Sequence, residues 1–173
     1  MIKQYFHPDG KQLATDADWL IGEGIFLPTL ENATALRSMK APGTAYDNPK
    51  IGRDRQPADM DGYKKLPNTS SGDWGGVHTN SGIPNRAFYL VATSLGGYSW
   101  EKAGQIWYSA LTDPDLKGID TQTAFKVFAD LTSKYALGLF DDDVQTVVNA
   151  AWTKVKVYRA SGTDDVPVPR AHL

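Results

Sequence analysis

The sequence contains no cysteine and no long apolar run, and each absence excludes a class of protein. Without cysteine the chain has no disulfide, no thiolate zinc site and no cysteine nucleophile. No apolar run approaches the roughly 18 residues that a membrane span needs, so no membrane partner is expected. The net charge is −2 and the 18 basic residues are scattered, which gives no reason to expect nucleic-acid binding. The 173 residues, 41% of them hydrophobic, suffice to bury a core as one domain or one lobe.

Helical periodicity is confined to residues 82–157. Apolar residues recur there at helical spacing in four segments, and nothing alternates at a period of two. The predicted fold class is therefore mainly α, a bundle of about four long helices preceded by a long irregular loop region. The four apolar stripes are Pro84, Ala87, Phe88, Val91, Ala92 and Leu95; Ala103, Ile106, Trp107, Ala110 and Leu111; Ala124, Val127, Phe128, Leu131 and Tyr135; and Val144, Val147, Val148, Ala151, Trp152 and Val155. We expect Ser99, Asp120 and Asp141 to cap the last three helices and Gly138 to follow the third.

The rest of the chain divides by composition. Residues 1–15 are predicted to be a short lead-in, and residues 158–173 a disordered tail. Residues 16–81 are rich in proline, glycine, aspartate and asparagine, and we assign them to the same domain as the helices, which then spans 16–157. Such a long loop region is uncommon unless it is functional or braced.

The most distinctive stretch is residues 72–84, GDWGGVHTNSGIP. It places His78 five positions after Asp73, among glycines that allow a ligand to approach the backbone closely. Histidine can carry a proton near neutral pH, and a carboxylate partner fixes the orientation of its ring. The pattern leaves two interpretations open: a chemical role for this histidine, or a tight loop in which it caps a helix.

Two further groups of residues are candidates for binding. Asp16, Asp18 and Glu23 put three carboxylates within eight positions beside glycines, which suits either calcium or a solvated acidic loop. Arg37 follows an apolar side chain, so it is either structural or able to grip a peptide carbonyl beside an apolar pocket. The apolar candidates for that pocket are Ile21, Ile25 and Leu36.

Three strings in the chain resemble one family. GGVHTNSGIPN, with Asp73 and His78, resembles the histidine loop of the thermolysin family of zinc metalloendopeptidases. DWLIGE at 18–23, running to LRSM at 36–39, resembles the segment before that loop. KAPGTAY at 40–46 is similar to the protealysin-like branch of the family in particular. The resemblance covers roughly residues 13 to 157 in order, and it implies the helical C-terminal domain of a secreted protease.

The resemblance also implies roles for individual residues. His78 matches the histidine that stabilises the oxyanion formed when water attacks a peptide carbonyl, and Asp73 matches its partner. Arg37 matches the arginine that contacts the substrate carbonyl after the scissile bond. The residues that match part of the pocket wall are Ile21, Ile25 and Leu36, and those that match calcium ligands are Asp16, Asp18 and Glu23.

The zinc site of that family has no counterpart in this sequence. Zincins of this kind use His-Glu-x-x-His on one helix, and the motif is absent, since the only histidines are His7, His78 and His172. The resemblance therefore implies that zinc is bound by a separate N-terminal lobe. That lobe and a peptide or protein substrate are the expected partners, and the chain alone is expected to be inactive.

Two alternative interpretations retain the peptide-binding groove without peptide hydrolysis. The chain is then either a non-catalytic peptide-binding module or a degenerate remnant of the enzyme. Trp74 stands where the family often has asparagine, which is compatible with a narrowed cleft. The family is secreted, although the first eight residues of this chain lack the apolar core of a secretion signal.

Overall fold

Four helices carry the core of the protein, a computed structural model of which describes residues 1–121 and 123–158. The four helices are α3 at Gly82–Leu95, α4 at Lys102–Leu111, α5 at Ala124–Leu139 and α6 at Asp142–Lys154. Two short helices precede them, α1 at Ile2–Tyr5 and α2 at Asp73–Asn80. The prediction of a mainly α fold with a four-helix bundle is confirmed.

The bundle forms because each helix has one apolar stripe to bury. Helix α3 packs on α4, α4 on α5, α5 on α6, and α6 back on α3, so the four helices close into a ring. Trp107 and Trp152 stack at its centre with ring centroids 5.8 Å apart, and Phe128 meets both edge-on. The indole N–H of Trp152 donates to Thr132 Oγ1 at 2.7 Å, which satisfies the one polar group that this ring brings into the core.

The first half of the chain is braced against the bundle at a few points. Trp19 is buried and meets the rings of Phe88 and Tyr89 edge-on. Its indole N–H donates to the Ala14 carbonyl at 2.8 Å. The N–H of Met60 donates to the carbonyl of Val155 at 3.0 Å. These contacts hold a long loop region in place with little regular structure of its own.

That region is nevertheless less irregular than the sequence indicates. It contains two antiparallel pairs of two-residue strands, β1 at Leu20–Ile21 with β2 at Arg37–Ser38, and β3 at Asp47–Asn48 with β4 at Gly52–Arg53. Single turns of 3-10 helix lie in the same region at Met60–Gly62 and Ser70–Gly72. A third lies outside it, between α4 and α5, at Pro114–Leu116. Strands of two residues are too short to produce an alternating pattern.

Three local expectations about the helix ends are wrong. Gly138 lies inside α5, at a position where an added Cβ would meet nothing within 4 Å. Ser99 is buried and donates to Gln4 Oε1, and the N-cap of α4 is Glu101. The N-cap of α5 is Thr123, while Asp120 accepts from its N–H through the backbone carbonyl. Asp141 does cap α6, accepting from the Val144 N–H at 2.8 Å.

In the described part of the chain, no helix is both long and apolar enough to cross a bilayer. The predicted disordered tail falls, from residue 159 onward, outside the described residues.

Candidate active site

The backbone reverses its handedness just before the candidate histidine. Four consecutive residues, Asp73, Trp74, Gly75 and Gly76, have φ between 48° and 82°. The turn also needs close approach, because a Cβ on Gly72 would lie 2.2 Å from the Pro67 carbonyl oxygen. The glycines of this stretch therefore shape a left-handed turn that aims the side chain of Asp73 forward along the chain.

Asp73 uses both carboxylate oxygens to organise the residues that follow. Its Oδ2 accepts from the backbone N–H of His78 at 3.1 Å, and from the backbone N–H and hydroxyl of Thr79 at 2.9 and 3.0 Å. Its Oδ1 lies 2.5 Å from His78 Nδ1. One carboxylate thus caps the right-handed turn and orients the imidazole. The alternative in which this histidine caps a helix is not what is observed, since the aspartate supplies the cap.

The charge of Asp73 determines which nitrogen of the His78 ring carries the proton in the contact between them. The hydrogen bond from His78 and the backbone N–H of Thr79 lower the pKa of the Asp73 carboxyl to about 2. Asp73 is therefore ionised at neutral pH and can only accept, so Nδ1 of His78 carries the proton between them. The other nitrogen, Nε2, belongs to a side chain that is 79% exposed. It is free to meet a ligand.

His78 opens onto a groove of about 280 Å³ in which Arg37 is also a lining residue. The remaining lining residues are Tyr46, Ile51, Gly52, Arg53, Asp54, Arg55, Gln56 and Thr79. The structure thus brings the candidate histidine and the candidate arginine to one hollow although they are 41 positions apart in sequence. Both come from the loop-rich half of the chain.

Gln56 connects the floor of this groove to the histidine turn. Its Nε2 donates to the His78 carbonyl at 2.9 Å and to Ser81 Oγ at 2.6 Å. Ser81 Oγ also donates to the His78 carbonyl, at 2.8 Å. The carbonyl of His78 is held from two sides, which limits movement of the ring that it carries.

The apolar candidates surround Arg37 through the first strand pair. Ile21 is the cross-strand partner of Arg37 in the β1–β2 ladder. Gly22 has φ +71°, and a Cβ there would lie 2.9 Å from Leu36 Cβ and 3.8 Å from Ile25 Cγ2. The three apolar side chains are all exposed, and Arg37 Nη1 donates to the Leu36 carbonyl at 2.7 Å. Arg37 is therefore adjacent to the apolar residues in the strand pair and also lines the groove with His78.

The expected calcium ligands are not arranged around a shared position for a metal. Lys3 Nζ lies 2.5 Å from an oxygen of Asp18 and 2.7 Å from one of Glu23, so an ammonium group occupies the place between these carboxylates. Asp16 instead accepts from the Thr15 hydroxyl at 3.0 Å. Among the residues that the structure describes, no three histidine, aspartate or glutamate side chains are grouped to hold a metal ion. The residues as placed do not fit calcium.

Sequence reasoning missed several residues of the groove. Thr79 follows the histidine directly, and its two bonds to Asp73 depend on a turn that no periodicity reveals. Arg53, Arg55 and Gln56 belong to a stretch without any regular pattern, and only the fold brings them to the groove. The available signal was the local density of arginine at positions 53 and 55.

Comparison with known proteins identifies the class as the helical domain of a metallopeptidase. A family model described as the thermolysin metallopeptidase α-helical domain matches residues 1–157. The chain therefore belongs to the thermolysin metallopeptidase family, whose members are metalloendopeptidases, and the predicted family is confirmed.

Individual relatives agree with this assignment. Protease PrtS of Photorhabdus sp. (strain Az29) is 48% identical over 157 residues, which are 91% of this chain and 40% of that protein. An extracellular metalloprotease of Pectobacterium carotovorum subsp. carotovorum is 46% identical over 157 residues, which are 91% of this chain and 42% of that protein. The solved precursor of protealysin, a metalloproteinase from Serratia proteamaculans, is 52% identical with a TM-score of 0.77, over 89% of this chain and 45% of that one. The chain spans about two fifths of the length of these curated relatives.

Proposed function

We propose that this chain acts as the C-terminal lobe of a secreted zinc metalloendopeptidase and stabilises the negative charge that forms on a peptide carbonyl during hydrolysis. The observation that carries this proposal is the 2.5 Å contact between Asp73 and His78 at a groove that Arg37 also lines. Arg37 and His78 line the same groove, and Asp73 holds the ring of His78 there, which supports a shared role for the three residues. Their catalytic roles follow from the chemistry of the groups and from the family.

His78 supplies the donor. Attack of water on an amide carbonyl converts a neutral oxygen into an oxyanion, and a preorganised donor stabilises the latter more than the former. Because the ionised Asp73 can only accept, the Nδ1 proton of His78 stays in that contact, and the imidazolium form of the ring carries a second proton, on Nε2, that it can donate to the developing oxyanion. The ring needs no reorientation during the reaction, because its backbone and its Nδ1 are both fixed.

Arg37 and the apolar patch hold the substrate. A guanidinium presents several N–H donors in a plane, which suits a peptide carbonyl beside the bond to be cut. Ile21 is the cross-strand partner of Arg37, and Leu36 and Ile25 both lie close to Gly22. Apolar side chains are therefore close to the arginine that is proposed to bind the substrate carbonyl. A substrate residue with an apolar side chain fits this patch.

Zinc bound by the proposed N-terminal lobe would supply the Lewis-acid chemistry of the family. This sequence contains no His-Glu-x-x-His motif, so its own residues take no part in holding that ion. The lobe that holds zinc is the proposed partner. That partner could bury apolar side chains that are exposed in this chain, at or beside α1 and on α4. They include Met1, Ile2, Phe6, Tyr108 and Leu111.

Reconstitution tests the proposal. The chain, a separately made zinc-binding lobe and the two together are assayed on casein with zinc present. We expect cleavage from the mixture and none from the chain alone. Proteolysis or stoichiometric zinc binding by the chain alone contradicts the proposal. Peptide binding without cleavage in the mixture indicates the alternative of a non-catalytic peptide-binding module or a degenerate remnant.

A further inference from the structure

A cationic ridge separates two neighbouring grooves on the loop-rich half of the chain. Arg53, Asp54 and Arg55 line both the groove with His78 and an adjoining, more open one. The first groove also has Arg37, and the second has Lys64. Three arginines and one lysine therefore line these two hollows, together with a single aspartate.

That carboxylate is engaged by the backbone of its own loop. Asp54 is only 2% exposed. Its Oδ2 accepts from the N–H of Gly43 at 3.1 Å and of Ala45 at 3.4 Å, and its Oδ1 accepts from the N–H of Gln56 at 3.0 Å. Its oxygens are thus bonded to backbone amides and not to the guanidinium groups of the exposed arginines on either side of it.

Arg53 and Arg55 form no ion pair in the part of the chain that the structure describes. Within residues 1–121 and 123–158, neither Arg53 nor Arg55 has a carboxylate oxygen within 4.0 Å. Asp47 is the ladder partner of Arg53, yet the two side chains form no ion pair. The chain as a whole has a net charge of −2, so the positive character belongs to this ridge and is not a property of the whole surface.

Gln56, which lines both grooves, has one buried side-chain atom without a hydrogen-bond partner among the described residues. Gln56 lines the two hollows and is 5% exposed, with its Nε2 bonded to the His78 turn. Its Oε1 is buried and has no hydrogen-bond partner in the described part of the chain. An unsatisfied buried acceptor is costly, so this side-chain orientation costs free energy that the bonds of Nε2 to the His78 turn help to offset.

We infer that this ridge makes the groove selective for peptides with an aspartate or glutamate side chain. The inference rests on the proposed function, because it places the peptide in the groove that Arg37 and His78 share. The carboxylate binds between Arg53 and Arg55, while the peptide backbone meets Arg37. Specificity then comes from charge, and the apolar patch near Leu36 selects a different side chain of the same peptide.

Paired peptides test the selectivity on the chain as it exists. Each fluorescein-labelled pair shares one apolar residue and differs only in aspartate against asparagine, or glutamate against glutamine. Binding is followed by fluorescence anisotropy at low salt and at about 0.15 M salt. We expect the acidic peptide to bind about tenfold more tightly at low salt, and the difference to shrink as salt rises.

Matched variants assign the effect to the ridge. Arg53→Gln and Arg55→Gln should each weaken binding of the acidic peptide about 2- to 5-fold and leave the amide peptide unchanged. Lys154→Gln removes the same charge from α6, outside both grooves, and should change neither. Equal binding of both peptides, no binding of either, or an equal loss in Lys154→Gln overturns the inference.

The reconstituted protease separates this inference from the proposed function. If the two lobes together cleave casein but cut acidic and amide peptides equally, the selectivity is wrong and the proposed function stands. If the chain prefers the acidic peptide and the mixture cleaves nothing, the proposed function is wrong and the ridge remains a binding site.

Discussion

The two halves of the described chain are held together by different means. Residues 82–157 form a bundle stabilised by buried apolar and aromatic area, with stacked tryptophans at its centre. Residues 16–81 contain only short strands, single turns and one short helix, and they are held mainly by polar contacts to backbone groups, with Trp19 packed on the bundle. The candidate site lies almost wholly in this second kind of structure. The bundle thus provides stability, and the loops provide the groups that meet a ligand.

The largest effect should come from the centre of the bundle. Trp152→Ala removes a fully buried ring and leaves the Thr132 hydroxyl without its donor, so we expect a loss of about 3–5 kcal/mol in the free energy of unfolding. Urea denaturation followed by circular dichroism measures it. Tyr108→Ala, at a side chain 71% exposed, is the control and should change stability by no more than about 0.5 kcal/mol. Equal effects would show that the bundle does not carry the stability.

The next effect separates chemistry from stability. Asp73→Asn removes the charge that orients the imidazole while keeping the shape of the side chain. We expect cleavage by the reconstituted enzyme to fall about 10- to 100-fold, as for other carboxylates that orient a functional histidine. Unfolding in urea should change far less than in Trp152→Ala. A fall in activity that merely tracks lost folding would remove the distinction between the two regions.

Acid should weaken the loop region through the same carboxylate. The pKa of Asp73 is lowered to about 2 in the fold, against an ordinary value near 4 in the unfolded chain. The folded state therefore binds a proton at Asp73 less readily than the unfolded chain does. The stabilisation of the fold by the ionised Asp73 carboxylate is complete above about pH 4 and is lost between about pH 4 and pH 2. The stability difference between the native chain and Asp73→Asn, measured at pH 6 and pH 2, should shrink with acid. A constant difference contradicts the assignment.

The smallest effect concerns the lead-in. Lys3→Met removes the ammonium group between Asp18 and Glu23, and for such exposed ion pairs we expect a loss of about 0.2–1 kcal/mol. Calcium should leave the melting temperature of the native chain unchanged, since Lys3 already occupies the place between these carboxylates. A clear rise in melting temperature with millimolar calcium would restore the calcium site that the sequence suggests.

Sequence reasoning succeeded where side-chain periodicity reports burial directly. All four stripes became helices, and Asp141 caps α6 as its position predicts, because both signals are local. Gly138 misled because a glycine on a solvent-facing turn can remain helical. The prediction that Ser99 caps α4 was wrong because its hydroxyl donates instead to Gln4, 95 positions away in the sequence.

The site was predictable only in part, for a related physical reason. The Asp73–His78 contact spans five positions, so its residues could be named from the sequence. The groove depends on strand pairs of two residues and on a buried Asp54 that folds its loop inward. Such contacts leave no periodic trace, and the arginines of the ridge were therefore not identified from the sequence.

Replacing the imidazole tests the central claim most directly. Two-lobe enzyme carrying His78→Ala should retain zinc and the fold, keep KM within a few-fold, and lose about 10² to 10³ in kcat on a peptide substrate. A kcat equal to that of the native enzyme, with substrate and zinc bound normally, would mean that this side chain does not stabilise the transition state.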